Sequence, residues 1–347
     1  MTTINVNTST KYKVHIGKGL LCKVGEIVSE IVSPCKAAII SDDKVLPLYG
    51  EKVRQELEKS GFSVVEYTFK NGESSKNITT FASILEFLAE NKLSRTDIII
   101  ALGGGVVGDM AGFCAATYLR GIRFVQIPTT ILAACDSSVG GKTAIDLSAG
   151  KNLAGAFHQP CSVICDTETF DTLDARQVSC GFAEIIKYGV ICDEKLFESL
   201  YDDNNDIENI LSTCVSIKRD IVERDEKESG DRKLLNLGHT LGHAVEKHSN
   251  FSLTHGEAVG IGLAMIAKIS ENIGVSQSIS DKLLPILKKY DLPCEYDITV
   301  DELFNLSSGD KKVDGGSITL VLPEKIGKCR LAKYSLSEYL KILKEHL

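Results

Sequence analysis

Four of the seven histidines of this 347-residue chain fall within residues 232–262, RKLLNLGHTLGHAVEKHSNFSLTHGEAVGIG. His239 and His243 are four residues apart, so a helix puts both on one face, and Glu246, three further on, joins them. His255 follows in T-H-G-E, just ahead of an apolar, Gly-rich run. A His-x-x-x-His pair with a later His is a common way to present imidazoles to one metal ion. The same spacing also suits half-buried polar residues on a packed helix, and this stretch alone leaves both readings open.

Upstream, CGFAEIIKYGVI sets Glu184 and Lys187 three apart on one face of an otherwise apolar helical run, where a carboxylate suits a third metal ligand. A second pattern is DIIIALGGGVVGDMAGFCAA, residues 97–116: an apolar strand, a glycine turn and a helix of small residues. Glycines let a diphosphate approach the backbone, and the helix N-terminus offers it unpaired N–H groups. The turn is GGGxxGD rather than GxGxxG, and glycines also serve helix–sheet packing; the strand before and helix after favour a dinucleotide phosphate site. In FKNGESSKN, Glu73 suits ribose hydroxyls and Lys76 phosphate, although solvated loop charges are the plainer reading. A lysine-bearing loop system follows, YLRG and then IPTTILAACDSSVGGKTAIDLSAGKNLAGAFHQP. There Arg120, Lys142 and Lys151 stand among small residues, as an approaching anion requires, with Asp136 in the same loops.

The elements that must position these residues change character along the chain. Strands are expected at 12–16, 37–41, 63–69, 97–102 and 124–128, alternating with helices at 48–60 and 79–91. That alternation implies a parallel sheet. Beyond about 178, helices are expected at 182–188, 194–200, 206–226, 234–248, 257–273, 278–290 and 335–347, with one strand at 318–322. The expected fold is α/β: a Rossmann-like parallel-sheet domain over residues 1–178 that binds a dinucleotide, then a mainly α-helical metal- and substrate-binding domain over 179–347.

Composition narrows the function classes. With 43% hydrophobic residues the chain can bury a sizeable core. A net charge of -8 argues against broad nucleic-acid or anionic-membrane binding, so local lysines and arginines must meet any phosphate. No apolar run reaches a membrane-spanning length of about 18 residues, and the polar N-terminus lacks a signal-peptide core, so a cytoplasmic protein is expected. Eleven scattered cysteines, an odd number with no CxxC pair, read as small buried apolar residues kept reduced.

The strings GGGVVGDMAGFCAATYLRG, IPTTILAACDSSVGGKTAID, GKNLAGAFHQP, FAEIIKYG, RKLLNLGHTLGHAVE and THGEAVGIG together resemble the 3-dehydroquinate synthase family in order and spacing, over about residues 10–340. The resemblance implies Zn2+ or Co2+ on Glu184, His239 and His255, with His243 facing substrate. It implies NAD on Asp42, Glu73, Lys76, Gly104, Gly105, Val106, Val107, Gly108, Asp109, Thr129, Thr130, Lys142, Lys151, Thr172 and Leu173. Substrate contacts are implied for Arg120, Asp136, Lys142, Lys151, Asn152, Lys187, Lys218, Arg232, Asn236 and His243, completed by a lysine of the DKK string, Lys311 or Lys312, with Lys312 taken of the two.

The implied reaction turns 3-deoxy-D-arabino-heptulosonate 7-phosphate, a small sugar-acid phosphate, into 3-dehydroquinate and phosphate. It runs by transient alcohol oxidation, phosphate elimination, reduction and aldol closure, in the shikimate pathway. Relatives imply a homodimer, and the end at Leu347 suggests a monofunctional chain. Three other readings compete. A sister sugar-phosphate cyclase, of the 2-deoxy-scyllo-inosose or 2-epi-5-epi-valiolone synthase type, shares the turn and the metal triad. A metal-dependent alcohol or glycerol-phosphate dehydrogenase shares the turn but releases NADH. A non-catalytic binding protein, or one domain of a larger enzyme, is the third. The Arg232, Asn236, His243 and DKK set favours the synthase.

Overall fold

The computed structural model describes every residue except 204, 310–312 and 315. In chain order the strands are β1 (Thr2–Asn7), β2 (Lys11–Gly17), β3 (Lys36–Asp42), β4 (Ser63–Phe69), β5 (Ile98–Gly103), β6 (Arg123–Pro128), β7 (Lys142–Leu147), β8 (Gly150–Phe157), β9 (Ser162–Asp166), β10 (Val313–Asp314), β11 (Ser317–Lys325) and β12 (Lys328–Ser335). The helices are α1 (Val24–Ser29), α2 (Glu51–Lys59), α3 (Ile78–Glu90), α4 (Gly105–Thr117), α5 (Ala175–Cys192), α6 (Glu194–Ser199), α7 (Ile207–Arg224), α8 (His239–His248), α9 (His255–Asn272), α10 (Ile279–Lys289), α11 (Val300–Ser308) and α12 (Leu336–His346).

The chain divides into two units, Met1–Leu173 with Ile207–Glu226, and Asp174–Asp206 with Lys227–Leu347. The first is built on a seven-stranded sheet ordered β1-β2-β9-β6-β5-β3-β4, parallel except where β1 meets β2. Every residue of β5 is buried, because the strand feeds two cores at once. Ile98, Ile100 and Leu102 pack with Val24, Ile27, Val53 and Leu57 on one face. Ile99 and Ala101 pack with Ile84, Leu88, Val107 and Met110 on the other. Side chains alternate across a strand, so a strand covered by helices on both faces must be apolar throughout.

A single break at 178 would leave residues 207–226 in the second unit; they join the first. Ile210, Leu211, Cys214, Val215, Ile221 and Val222 are buried on α7, which packs against β1, β2 and the Ala133–Ser137 turn. Its far end is fastened by the Asn7 N–H donating to Glu223 at 2.6 Å and the Ser9 N–H to Glu226 at 3.0 Å.

Two further expectations change. The lysine-bearing loop system is in part a hairpin, β7 against β8, with Lys142 opposite Phe157. The second unit carries a three-stranded antiparallel sheet, β10-β11-β12, rather than one strand. In β12 only a half-buried Cys329, Leu331 alternation marks the strand, too weak a stripe to stand out. The other elements described in this unit are helices and short 3-10 turns.

Candidate active site

The expected helix 234–248 is broken. Asp231–Asn236 forms a 3-10 turn, and α8 starts afresh at His239. The break is Gly238, at φ 76°, the left-handed region that costs a residue with a Cβ about 1–2 kcal/mol. A Cβ there would also lie 3.0 Å from Leu263 on α9. The restart puts His239 and His243 one turn apart, with ring centroids 5.3 Å from each other. His255 begins α9, whose N-terminus carries a capping box: the Glu257 N–H donates to Thr254 Oγ1, and the Thr254 N–H donates to Glu257 at 2.7 Å. The His255 ring lies 5.2 Å from that of His239 and 5.7 Å from that of His243.

Glu184 on α5 is fully buried beneath these rings. Its Oε1 lies 3.4 Å from His239 Nε2 and 3.2 Å from His255 Nε2, and Lys187 pairs with Oε2. Among the described residues neither carboxylate oxygen makes an aligned hydrogen bond. Burial opposes the charge on Glu184, but Lys187 and His239 outweigh it and hold the carboxyl well below its ordinary range. Burial lowers His239 despite Glu184, keeping the ring neutral, as a metal ligand must be. Burial acts the same way on His255, but Glu184 and Glu246 push it up to about 9. An ionised carboxylate without aligned donors, facing two imidazole nitrogens, fits a divalent cation of the zinc or cobalt kind. Among the described residues, ligand atoms of His239, His243 and His255 also lie within 4.8 Å of one another, so His243 borders the same space.

In the first unit, β3 and β5 are neighbours whose connections leave in opposite directions, which makes their C-terminal ends a topological switch point. Gly104 caps α4 there with no side-chain hydrogen bond, leaving the first-turn N–H groups open to an anion. The glycines serve close packing rather than a tight turn: none from Gly103 to Gly108 has a positive φ, and a Cβ on Gly104 would meet Thr130 at 3.2 Å. Thr129, after β6, has a buried hydroxyl with no hydrogen-bond partner among the described residues, the kind of orphan a ligand satisfies.

Beside this turn Lys76 is buried, 2.6 Å from Asp109 Oδ2 and 2.6 Å from Asn152 Oδ1. Burial favours the neutral amine, but Asp109 and Glu73 outweigh it and raise Lys76 above its ordinary value. Lys151 lies 3.3 Å from Glu73. Lys218 on α7 pairs with the Asp136 carboxylate and donates to its backbone carbonyl at 2.7 Å.

The chain matches the model of the 3-dehydroquinate synthase N-terminal domain over residues 66–180 and that of the C-terminal domain over residues 181–313. It is 44% identical over 342 residues to the 3-dehydroquinate synthase of Clostridium acetobutylicum, covering 96% of each chain. The chain belongs to the 3-dehydroquinate synthase family. Among solved structures, a 2-deoxy-scyllo-inosose synthase complexed with carbaglucose-6-phosphate, NAD+ and Co2+ superposes with a TM-score of 0.87 at 25% identity, covering 100% of both chains. A 2-epi-5-epi-valiolone synthase from Streptomyces hygroscopicus with NAD+ and Zn2+ bound gives 0.87 at 25% identity, covering 99% of both.

Most residues implied by the family resemblance gather in a few groups. Glu184, Lys187, His239, His243 and His255 form one, and Glu73, Lys76, Asp109, Lys151 and Asn152 another. Arg232 is 1% exposed, and Asn236 donates to Glu228 at 2.9 Å. Asp42 shapes its own loop, its carboxylate accepting from the Lys44 and Val45 N–H groups at 2.9 Å and from Asn71 at 3.0 Å. Arg120 stands exposed after α4, and Thr172 bonds Tyr49 at 2.6 Å. Among the described residues no hydrogen bond or ion pair draws either into these groups. Lys311 and Lys312 lie outside the described residues.

Sequence reasoning overlooked Asp146. Its Oδ1 accepts the N–H of Asn152 at 2.8 Å, holding that residue at φ 55° with its side chain on Lys76. The alternating KTAIDL followed by a small-residue turn was the available hairpin signal.

Proposed function

We propose that this chain converts 3-deoxy-D-arabino-heptulosonate 7-phosphate to 3-dehydroquinate and phosphate as an NAD- and metal-dependent synthase of the shikimate pathway. The observation that carries this reading is the buried Glu184 carboxylate facing Nε2 of both His239 and His255. Those three residues would hold Zn2+ or Co2+. The α4 turn from Gly104 to Asp109 would hold NAD, with Asp42, Glu73, Lys76, Thr129, Thr130, Lys142, Lys151, Thr172 and Leu173 around it. When bound, NAD takes up and returns one hydride, and the cation polarises the reacting alcohol oxygen.

The side chains supply charge, orientation and proton transfer. Arg232 offers a rigid, planar fork suited to a carboxylate or phosphate. The cations of Lys142, Lys187 and Lys218 offset the substrate's anionic charge, which a chain of net charge -8 does not do in bulk. Arg120, Asp136, Lys151, Asn152, Asn236 and Lys312 complete the proposed contacts. His243, whose ring borders the two ligand rings, takes the alcohol proton at an imidazole nitrogen and returns it. The larger share of the rate enhancement is assigned to holding one substrate conformer.

We also assign NAD binding to residues 1–178 and metal binding, with the substrate contacts of Lys187, Lys218, Arg232, Asn236 and His243, to residues 179–347, and take the protein to be a cytoplasmic homodimer. No described helix is long and apolar enough to cross a membrane. The test is phosphate release from the heptulosonate phosphate with metal and NAD each present or omitted, while NADH absorbance is followed. One phosphate per dehydroquinate, dependence on both cofactors and no net NADH are expected. Stoichiometric NADH would indicate a dehydrogenase, and no release with this substrate would move the assignment to a sister cyclase.

A further inference from the structure

Glu246 has no part in the chemistry above, yet it is 3% exposed and shares a face of α8 with His239 and His243. Its Oε2 lies 3.6 Å from Nδ1 of His255, while Nε2 of that ring lies 3.2 Å from Glu184 Oε1. His239 divides its nitrogens the same way, with Nδ1 3.0 Å from the Leu237 carbonyl oxygen and Nε2 3.4 Å from Glu184 Oε1. In each ring one nitrogen faces an acceptor of fixed position and the other faces Glu184. With a cation bound the imidazole is neutral, with one N–H and one lone pair, so an acceptor at Nδ1 leaves the Nε2 lone pair for the cation beside Glu184.

The acceptor for His239 is a backbone carbonyl two residues away and comes with the turn into α8. His255 begins a different helix, and there a carboxylate reaching from α8 faces Nδ1 instead. At 3.6 Å the contact is electrostatic rather than a formed hydrogen bond, and a small rotation of either side chain closes it. Burying a carboxylate is costly unless it meets a cation or donor, so packing alone does not account for an acid at this position.

We propose that Glu246 is the positioning residue of His255: it accepts the Nδ1–H, fixes the tautomer and ring angle that turn Nε2 toward Glu184, and so sets the affinity of the cluster for a divalent cation. This rests on the metal reading given above. The experiment strips the full-length protein with a chelator and titrates it with Co2+. Affinity is read by competition with a chelating indicator, and ligand geometry by the visible absorption of the bound ion. Glu246→Ala is expected to bind Co2+ about 10- to 100-fold more weakly, with shifted bands. Glu246→Gln, which keeps an acceptor oxygen and the side-chain shape, is expected to lose less.

Thermal melts of the metal-free variants separate positioning from plain stability. A lowered melting temperature with unchanged Co2+ affinity and bands would overturn the proposal, as would variants indistinguishable from wild type. If Glu246→Ala does not fold, Glu246→Gln decides by the same two readouts. Failure of the wild type to bind Co2+ tightly would overturn the metal reading itself, and it shows before any substitution is made.

Discussion

Glu184 and Lys187 sit three residues apart on α5 with side chains 0% and 1% exposed, so the protein holds two charges almost out of water. Such a pair adds little net stability, because desolvation offsets most of the attraction, but removing one partner strands the other. Lys187→Met removes the ammonium that most offsets the Glu184 charge. Urea unfolding of the chelator-treated variant is expected to show a loss of about 3–5 kcal/mol. The double variant Glu184→Gln with Lys187→Met should recover most of that loss, since no buried charge is then left alone. Simply additive losses in this cycle would mean that the two groups do not stabilise each other.

At the scale of elements, Gly238 decides where α8 begins and hence where His239 sits. Gly238→Ala meets a left-handed backbone and a Leu263 contact at 3.0 Å, so about 1–2 kcal/mol of stability should be lost from the backbone alone. Weakened Co2+ binding should accompany the loss; full affinity in a destabilised variant would separate the break from the cluster.

Asp97 joins the starts of two central strands, its carboxylate accepting the Lys36 N–H at 2.9 Å and the Ser94 N–H at 2.6 Å. Burial raises its pKa, but these N–H groups outweigh it and hold the carboxyl below its ordinary 3.8. A depressed folded value means that the carboxylate stabilises the fold at pH values above the unfolded carboxyl's. That contribution drains away as the pH falls through the folded value. Asp97→Asn should therefore lower stability at neutral pH, by about 1–3 kcal/mol for hydrogen bonds to a charged group, with the gap narrowing steadily in acid. A gap independent of pH would assign the effect to packing.

The elements were unevenly legible in the sequence. The run Ile98–Leu102 announced a strand covered on both faces, and the His239–His243–Glu246 spacing announced one helix face. The break at Leu237–Gly238 was hidden because the apolar spacing continues across it, and the left-handed backbone and the close contact with Leu263 that demand the glycine show only in the fold. The return of α7 to the first unit was equally hidden: an amphipathic helix advertises its apolar face but not which sheet will cover it. The apolar residues around Glu184 and Lys187 pointed to partial burial but not to its full depth, and Lys76 carried only a charge signal, because depth depends on neighbours distant in sequence.

For the molecule as a whole, the two sets of residues proposed to hold ligands belong to different units. The open N-terminus of α4, Thr129 and Lys76 lie in Met1–Leu173, whereas Glu184, His239 and His255 lie in Asp174–Asp206 and Lys227–Leu347. A ligand that binds only the folded form stabilises what it binds by RT ln(1 + [L]/Kd), about 2.7 kcal/mol at a concentration one hundred times Kd. Amides that exchange by opening of that unit should then slow about 100-fold, because exchange follows the population of the open form. Hydrogen exchange should accordingly report two separable footprints. Co2+ or Zn2+ added to stripped protein should protect α5, α8 and the start of α9, where the proposed donors sit. NAD without metal should protect the end of β5, the first turns of α4 and the end of β6. Protection by metal that appears at the α4 turn while α8 and α9 exchange as before would contradict the assignment of the donors. Protection of both sets by either ligand alone would mean that the units open as one body, so that each ligand stabilises the site of the other.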